Sequence, residues 1–180
     1  MIIDSFGKIL ESDDYFVISD THFFDENLVT KRDRKNIFAS IEDMNETIIT
    51  KWNSVVSEND NVLHLGDVYH SYDVSLGELT NLLNRLNGNI YVAIGNNDNV
   101  DYLAKSERFQ SIHLWFRDYK NELILSHSPL AEMSFKCYGD NYTNIHGHTH
   151  IAGSPRGDYI NVSADVIKFK PVNIGQLLNF

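Results

Sequence analysis

The chain of 180 residues contains one cysteine, Cys137, and three prolines. A single thiol leaves no internal disulfide to form, which makes a reducing compartment the simpler setting. It also leaves no companion thiol for a cysteine-rich zinc site. A buried or inert thiol is the expected state of Cys137. Basic residues are scarce as well. Fifteen Lys and Arg stand against 25 Asp and Glu, for a formal net charge of -10. Such a surface repels duplex DNA and anionic membranes, so neither is an expected partner. A small anionic substrate stays open, because bound metal ions can dominate the local field. No apolar run approaches the length of a membrane span. The N-terminus lacks the basic-then-apolar order of a signal peptide, so a cytoplasmic protein is expected. There is no repeat, low-complexity tract or Pro/Gly-rich linker; Pro129, Pro155 and Pro171 read as loop punctuation. With 42% hydrophobic and 22% charged residues, residues 1–180 read as one globular domain.

Short apolar runs rich in Val, Ile and Tyr predict strands at Tyr15–Ser19, Val62–Leu65, Ile90–Ile94, Leu123–Ser126 and Tyr159–Val162. Two stripes at steps of three and four predict helices between them. The first carries Ile41, Met44, Ile48, Trp52 and Val55, with Ser40 as N-cap and Asp43 at the third helical position. The second carries Leu76, Leu79, Leu82, Leu83 and Leu86. Ser75 and Glu78 make a capping-box pattern before it, and Gly88 reads as its stop. Both stripes are core faces. The alternation of strand and helix is the trace of parallel βαβ units. In the second half, Ile112–Tyr119 and Glu122–Ser126 flank Lys120-Asn121, which reads as a hairpin turn. An α/β layered fold with partly antiparallel later strands follows.

The polar groups fall at the ends of these runs. The first run ends in Asp20-Thr21-His22, the second in Gly66-Asp67, and the third in Gly95-Asn96-Asn97-Asp98. The run Leu-Ile-Leu-Ser ends in His127, and Asn144-Ile145-His146 leads into Gly147-His148-Thr149-His150. Ligands bind at the carboxyl ends of strands in open α/β sheets, so these groups are placed to converge. Carboxylates can bridge two cations. Imidazoles suit Zn, Fe, Ni and Mn-class ions, and amide oxygen suits the harder ones. Four histidines, two aspartates and one asparagine suffice for two ions. Such a pair activates water and stabilises an in-line phosphoryl displacement. Each motif alone is weak; the ordered set at strand ends carries the inference.

The order Asp-x-His, Gly-Asp, Gly-Asn-x-Asp, His, Gly-His-x-His resembles the calcineurin-like metallophosphoesterase superfamily, from about Tyr15 to Asp165. Three finer features resemble a small bacterial and phage branch of it. They are Ser-Asp-Thr-His-Phe at 19–23, Met44-Asn45-Glu46-Thr47 leading to Trp52-Asn53, and Leu86-Asn87-Gly88. The resemblance implies a four-layer α/β/β/α sandwich of mixed sheets. It implies one metal held by Asp20, His22 and His150 and another by Asn96, His127 and His148, with Asp67 bridging them. A metal-bound hydroxide would be the nucleophile. Manganese is the expected ion, with iron, zinc or nickel as alternatives.

The chain departs from that pattern in two places. Relatives active on monoesters usually carry His after the Asn of Gly-Asn-x-Asp, as proton donor or transition-state contact; here Asn97 stands there. An amide hydrogen-bonds but supplies no proton at a useful pKa. Hydrolysis of diesters, or of esters with good leaving groups, is therefore expected, with a nucleotide-type or cyclic phosphodiester as the first candidate substrate. A broad phosphomonoesterase or protein phosphatase, or a non-catalytic scaffold of the same fold, are the alternatives. The second departure is Phe23-Phe24-Asp25-Glu26-Asn27, where the branch often reads Phe-Gly-His-x-Asn. Among the other histidines, His70 is a candidate substitute acid. His64 reads as a satisfied core residue, His146 as a group orienting a ligand from behind, and His113 carries no signal. The cluster Lys31, Arg32, Arg34, Lys35 reads as a solvated face, with phosphate steering as the sharper alternative. A monomer or small homo-oligomer is expected.

Overall fold

The structure is a computed structural model that describes residues 2–4, 7–10, 14–32, 34–70, 74–155 and 157–178, the first two segments as backbone only. The elements begin with β1 (Ile2–Asp4), β2 (Gly7–Leu10), β3 (Phe16–Ile18), α1 (Glu26–Lys31), α2 (Ile41–Asn53) and β4 (Asn61–His64). They continue with α3 (Leu76–Leu83), β5 (Asn89–Ala93), α4 (Val100–Lys105), β6 (Phe109–His113), β7 (Trp115–Asp118) and β8 (Leu123–Ser126). Last come α5 (Glu132–Lys136), β9 (Thr143–His146), a 3-10 turn at His150–Ala152, β10 (Tyr159–Asn161), β11 (Val172–Asn173) and α6 (Ile174–Leu177).

Two mixed sheets result. One has the order β11-β3-β4-β5-β6; its last four strands are parallel and β11 is antiparallel to β3. The other has the order β10-β9-β8-β7-β1-β2, with β8, β9 and β10 parallel and the remaining pairs antiparallel. Side chains alternate across each strand, and this sorts the core into layers. Ile18, Val62, Ile90 and Val92 face Met44, Ile48 and Trp52 of α2, Leu79, Leu82 and Leu83 of α3, and Leu103 of α4. Their neighbours Val17, Leu63 and Ala93 face the other sheet, against Phe116, Leu123, Leu125 and Ile145. Ile124 points the opposite way, into a small cluster with Phe135 of α5 and Tyr142. The layers are thus helices, sheet, sheet and helix, the mixed α/β arrangement expected.

The two helices start where their caps predict. Ser40 Oγ accepts the Asp43 N–H at 3.2 Å. Ser75 Oγ accepts the Glu78 N–H, and Glu78 accepts the Ser75 N–H in return. The second helix, however, ends at Leu83, capped by Asn84, so Gly88 is not its stop. Gly88 instead turns the chain into β5 at φ +91°. The predicted strand Ile112–Tyr119 also divides. Its first part is β6, a fourth parallel strand of one sheet; past Leu114 the chain enters β7 of the other. Only β7 and β8 form the hairpin. Asp118 secures its turn by accepting the Lys120 and Asn121 N–H groups. Among the described residues, no helix is long and apolar enough to cross a membrane.

Candidate dinuclear metal centre

The donor residues follow five strands. Asp20 and His22 come after β3, Asp67 after β4, Asn96 after β5, His127 after β8, and His148 and His150 after β9. Backbone bonds draw these loops together: Asp20 N–H donates to Gly66 O, His22 N–H to Asp67 O, and Gly147 N–H to His127 O. Asp20, His22, Asp67, His148 and His150 all take left-handed φ, from +46° to +66°. Non-glycine residues seldom hold that conformation, and it clusters where surroundings enforce it for function. Two glycines allow the close approach. A Cβ on Gly95 would collide with the Asp67 backbone and carboxylate, and one on Gly147 with Ser19 Oγ and the Asp20 carboxylate.

The donors form two groups. Ligand atoms of Asp20, His22 and His150 lie within 4.8 Å of one another, and so do those of Asp67, His127 and His148. His22 Nε2 lies 3.9 Å from Asp20 Oδ1 and 3.4 Å from Asp67 Oδ2. Asp67 Oδ2 is also 3.5 Å from His127 Nε2, so this one oxygen stands between the two groups. Asn96 Oδ1 joins the second group, 2.9 Å from His127 Nε2. His148 N–H donates to Asp20 Oδ2, which leaves Oδ1 turned inward.

The bonding around these atoms fits cations. Asp20 Oδ1 and both ring nitrogens of His22 are buried with no hydrogen-bond partner. Such groups are costly without a partner; a cation would satisfy Asp20 Oδ1 and His22 Nε2, while His22 Nδ1 faces Asp25 Oδ2 at 3.5 Å. His127 Nδ1 can only donate to the Leu65 carbonyl, so in the neutral ring Nε2 is a lone pair, with Asn96 Oδ1 at 2.9 Å and His148 Nδ1 at 3.2 Å around it. In the same way His150 donates from Nδ1 to Asp165 Oδ2, which frees Nε2. Burial pulls the His22 imidazole down, but the Asp25 and Asp67 carboxylates outweigh it and lift it to about 9. Burial alone would raise Asp67; His22 and His127 beside it instead hold its carboxyl well below the usual range. A cation binding here displaces the imidazole proton.

The groups open into a cavity of about 400 Å³ whose lining includes Asp25, Asn27, Arg32, His70, Asn96 and Asn97. A larger cavity of about 960 Å³ lies beside β11 and is lined by no histidine or carboxylate, so the smaller one is the candidate site. Asn97 donates twice to Asp67: its backbone N–H to Oδ1 at 2.8 Å and its side-chain Nδ2 to Oδ2 at 2.7 Å. His70 is in the cavity, with Nδ1 3.7 Å from Asp25 Oδ2.

The remaining histidines sort by their bonds. His64 accepts the Gly66 N–H at Nδ1, so its proton is on Nε2, which reaches Thr21 Oγ1 at 3.0 Å. It is the satisfied core residue expected. His146 is buried and bonds Gly147 O and Ser154 Oγ; it touches the backbone before His148 and not a ligand side chain. His113 pairs with Ser111 Oγ. Cys137 is exposed, so of the buried or inert thiol expected, burial does not hold. The basic cluster divides. Lys31, Arg32 and Lys35 are exposed, but Arg34 is 0% exposed and ion-paired to Asp165, so it is neither a solvated nor a steering residue. Arg34 and Asp165 have no motif to mark them. Asp98 did have one: it ends Gly-Asn-Asn-Asp, and its carboxylate accepts the Asp67, Val68 and Gly95 N–H groups.

The model of the calcineurin-like phosphoesterase family matches residues 15–173, a span that includes every donor above. The chain belongs to the calcineurin-like phosphoesterase family. Among this phosphoesterase's relatives is the uncharacterized protein MJ1445 of Methanocaldococcus jannaschii, 36% identical over 166 residues, 88% of this chain and 86% of that one. The relative is archaeal, and nothing among these matches supports the narrower bacterial and phage branch. The crystal structure of the protein of unknown function AQ665 from Aquifex aeolicus superposes with a TM-score of 0.70. It is 23% identical and covers 92% of this chain and 98% of its own, which shows a shared fold. A structure described as a novel archaeal phosphodiesterase reaches a TM-score of 0.44 at 19% identity, over 89% of this chain and 98% of that one. That score is too low to speak to activity.

Proposed function

We propose that this phosphoesterase hydrolyses phosphodiesters of nucleotide-type or cyclic character with two divalent ions, manganese being the working choice. The mixed nitrogen and oxygen donor set supports ions of the Mn, Fe, Zn and Ni class. Asp20, His22 and His150 would hold one ion and Asn96, His127 and His148 the other, with Asp67 between them. When bound, such ions supply an activated water and neutralise charge on the phosphate. The protein supplies the rest. Asp98 braces the Asp67 loop, and Asn97 orients the Asp67 carboxylate. Arg32, the one Lys or Arg among the described residues that line the cavity, would face the anionic substrate.

The preference for diesters rests on Asn97. Its amide hydrogen-bonds Asp67 and cannot protonate a leaving oxygen. Loss of a positioned acid costs about 10²–10⁴-fold and weighs most on poor leaving groups. The test compares bis-p-nitrophenyl phosphate with simple alkyl monoesters; faster monoester turnover refutes the preference. His70 is the candidate acid in the same cavity. If it donates the proton, His70→Ala slows alkyl diesters far more than bis-p-nitrophenyl phosphate, and an equal loss on both removes it from that role. A scaffold reading has no support, since every donor position is filled.

A further inference from the structure

We infer that Arg34 and Asp165 are positioning residues that make the Asp20–His22–His150 group the tighter of the two cation positions. The inference rests on the dinuclear reading above. Arg34 is wholly buried, and a guanidinium there is costly unless every donor is matched. Here each is. Nε and one Nη2 hydrogen meet the two Asp165 oxygens at 2.9 Å. The other Nη2 hydrogen meets Asp20 O at 2.6 Å, and Nη1 meets Thr21 O and Met44 Sδ. Asp165, with a 2% exposed side chain, then accepts from His150 Nδ1 at 2.7 Å.

One side chain therefore fixes two donors. Through Asp20 O and Thr21 O it clamps the left-handed loop that presents the Asp20 carboxylate. Through Asp165 it sets the His150 tautomer and leaves Nε2 3.8 Å from Asp20 Oδ1. A carboxylate behind an imidazole also raises its basicity as a ligand. Among the described residues, the second group has no carboxylate behind an imidazole; its brace, Asp98, holds only the Asp67, Val68 and Gly95 N–H groups. His127 Nδ1 donates to a neutral carbonyl, and His148 and Asn96 are exposed. A purely structural ion pair would leave cation affinity unchanged in whatever protein folds.

The full chain, stripped by chelator, is titrated with Mn²⁺, and free ion is counted by electron paramagnetic resonance; Co²⁺ absorption gives a second readout. The wild type should bind two ions in unequal steps. Asp165→Asn should weaken the tighter step by about 10–100-fold and leave the weaker within about twofold. In the His148→Ala background, which cripples the second group, the same substitution should shift the one step that remains. Arg34→Lys keeps the charge but loses the fork, and carries the same expectation if Asp165→Asn does not fold; Asp165→Glu should recover part of the affinity. Equal weakening of both steps, or none, in folded protein overturns the inference, as do two equal steps in the wild type. A wild type that binds no Mn²⁺ or Co²⁺ overturns the dinuclear reading as well, which separates the two failures.

Discussion

Asp20, His22, Asp67, His148 and His150 hold a backbone conformation that costs on the order of 1–3 kcal/mol each for a side-chain-bearing residue. Inter-loop hydrogen bonds and glycine contacts hold it in place. Gly147→Ala should therefore displace the Asp20 carboxylate and abolish most activity, with a loss of one bound ion; unchanged metal stoichiometry would refute the contact argument. Asn97→His tests the missing proton donor. It should raise alkyl monoester turnover relative to diester turnover by about tenfold or more, a fraction of what a positioned acid supplies. A flat ratio would mean that position 97 does not set the preference. The donors were legible in the sequence because Asp, Asn and His after apolar runs have few other reasons to recur in that order. Arg34 was not, because an arginine among Lys31, Arg32 and Lys35 looks solvated until the fold buries it. His64 adds a pH effect at this scale. Burial pushes its pKa from 6.5 down to about 3. Between those values the unfolded chain binds a proton that the folded chain refuses, so stability falls as pH drops through that window. In chelator, His64→Asn should flatten the slope of unfolding free energy by up to about 1.4 kcal/mol per pH unit. Identical slopes would show that His64 is protonated in the fold.

Local chemistry sets the elements wherever one signal dominates. The Ser40 and Ser75 caps were legible because each side chain meets an N–H that the helix leaves unpaired. Ser75→Ala should lower stability by about 1 kcal/mol without changing turnover in the folded enzyme, measured by urea unfolding and diester assay. A change in turnover would tie α3 to the site, which no contact among the described residues predicts. The boundary at Leu114 was not legible. Ile112 to Tyr119 is one uninterrupted strand-like stretch, and nothing in it announces that its halves serve different sheets. That switch depends on where β5 and β8 offer free edges, which is a tertiary condition. The end of α3 was misplaced for a similar reason. Leu86 continues the apolar spacing and is buried, yet it lies past the last helical turn.

At the scale of the molecule, the donor loops come from both sheets. Asp20, His22, Asp67 and Asn96 follow strands of the five-stranded sheet, while His127, His148 and His150 follow strands of the six-stranded one. The layers otherwise meet through the apolar cluster of Val17, Leu63, Leu125 and Ile145, which imposes no direction on their ends, and through a few hydrogen bonds such as Tyr15 O–H to Asp118 Oδ2 and His148 N–H to Asp20 Oδ2. Bound cations would join the sheets at one end with bonds that the unfolded chain cannot assemble. Binding to the folded state alone stabilises it by about 2.7 kcal/mol per site at a hundredfold excess over Kd. Two sites then give about 5 kcal/mol, and a protein of this size gains about 2–4 °C for each kcal/mol. Calorimetry in Mn²⁺ against chelator should therefore show a rise in Tm of about 10–20 °C. Asp67→Asn, which neutralises the carboxylate shared by both groups, should lose most of that rise, measured against its own Tm in chelator. A wild-type Tm indifferent to Mn²⁺ would mean that the apolar contact and the inter-sheet hydrogen bonds hold the sheets without help from cations, and that ion binding at the converging donors does not stabilise the fold.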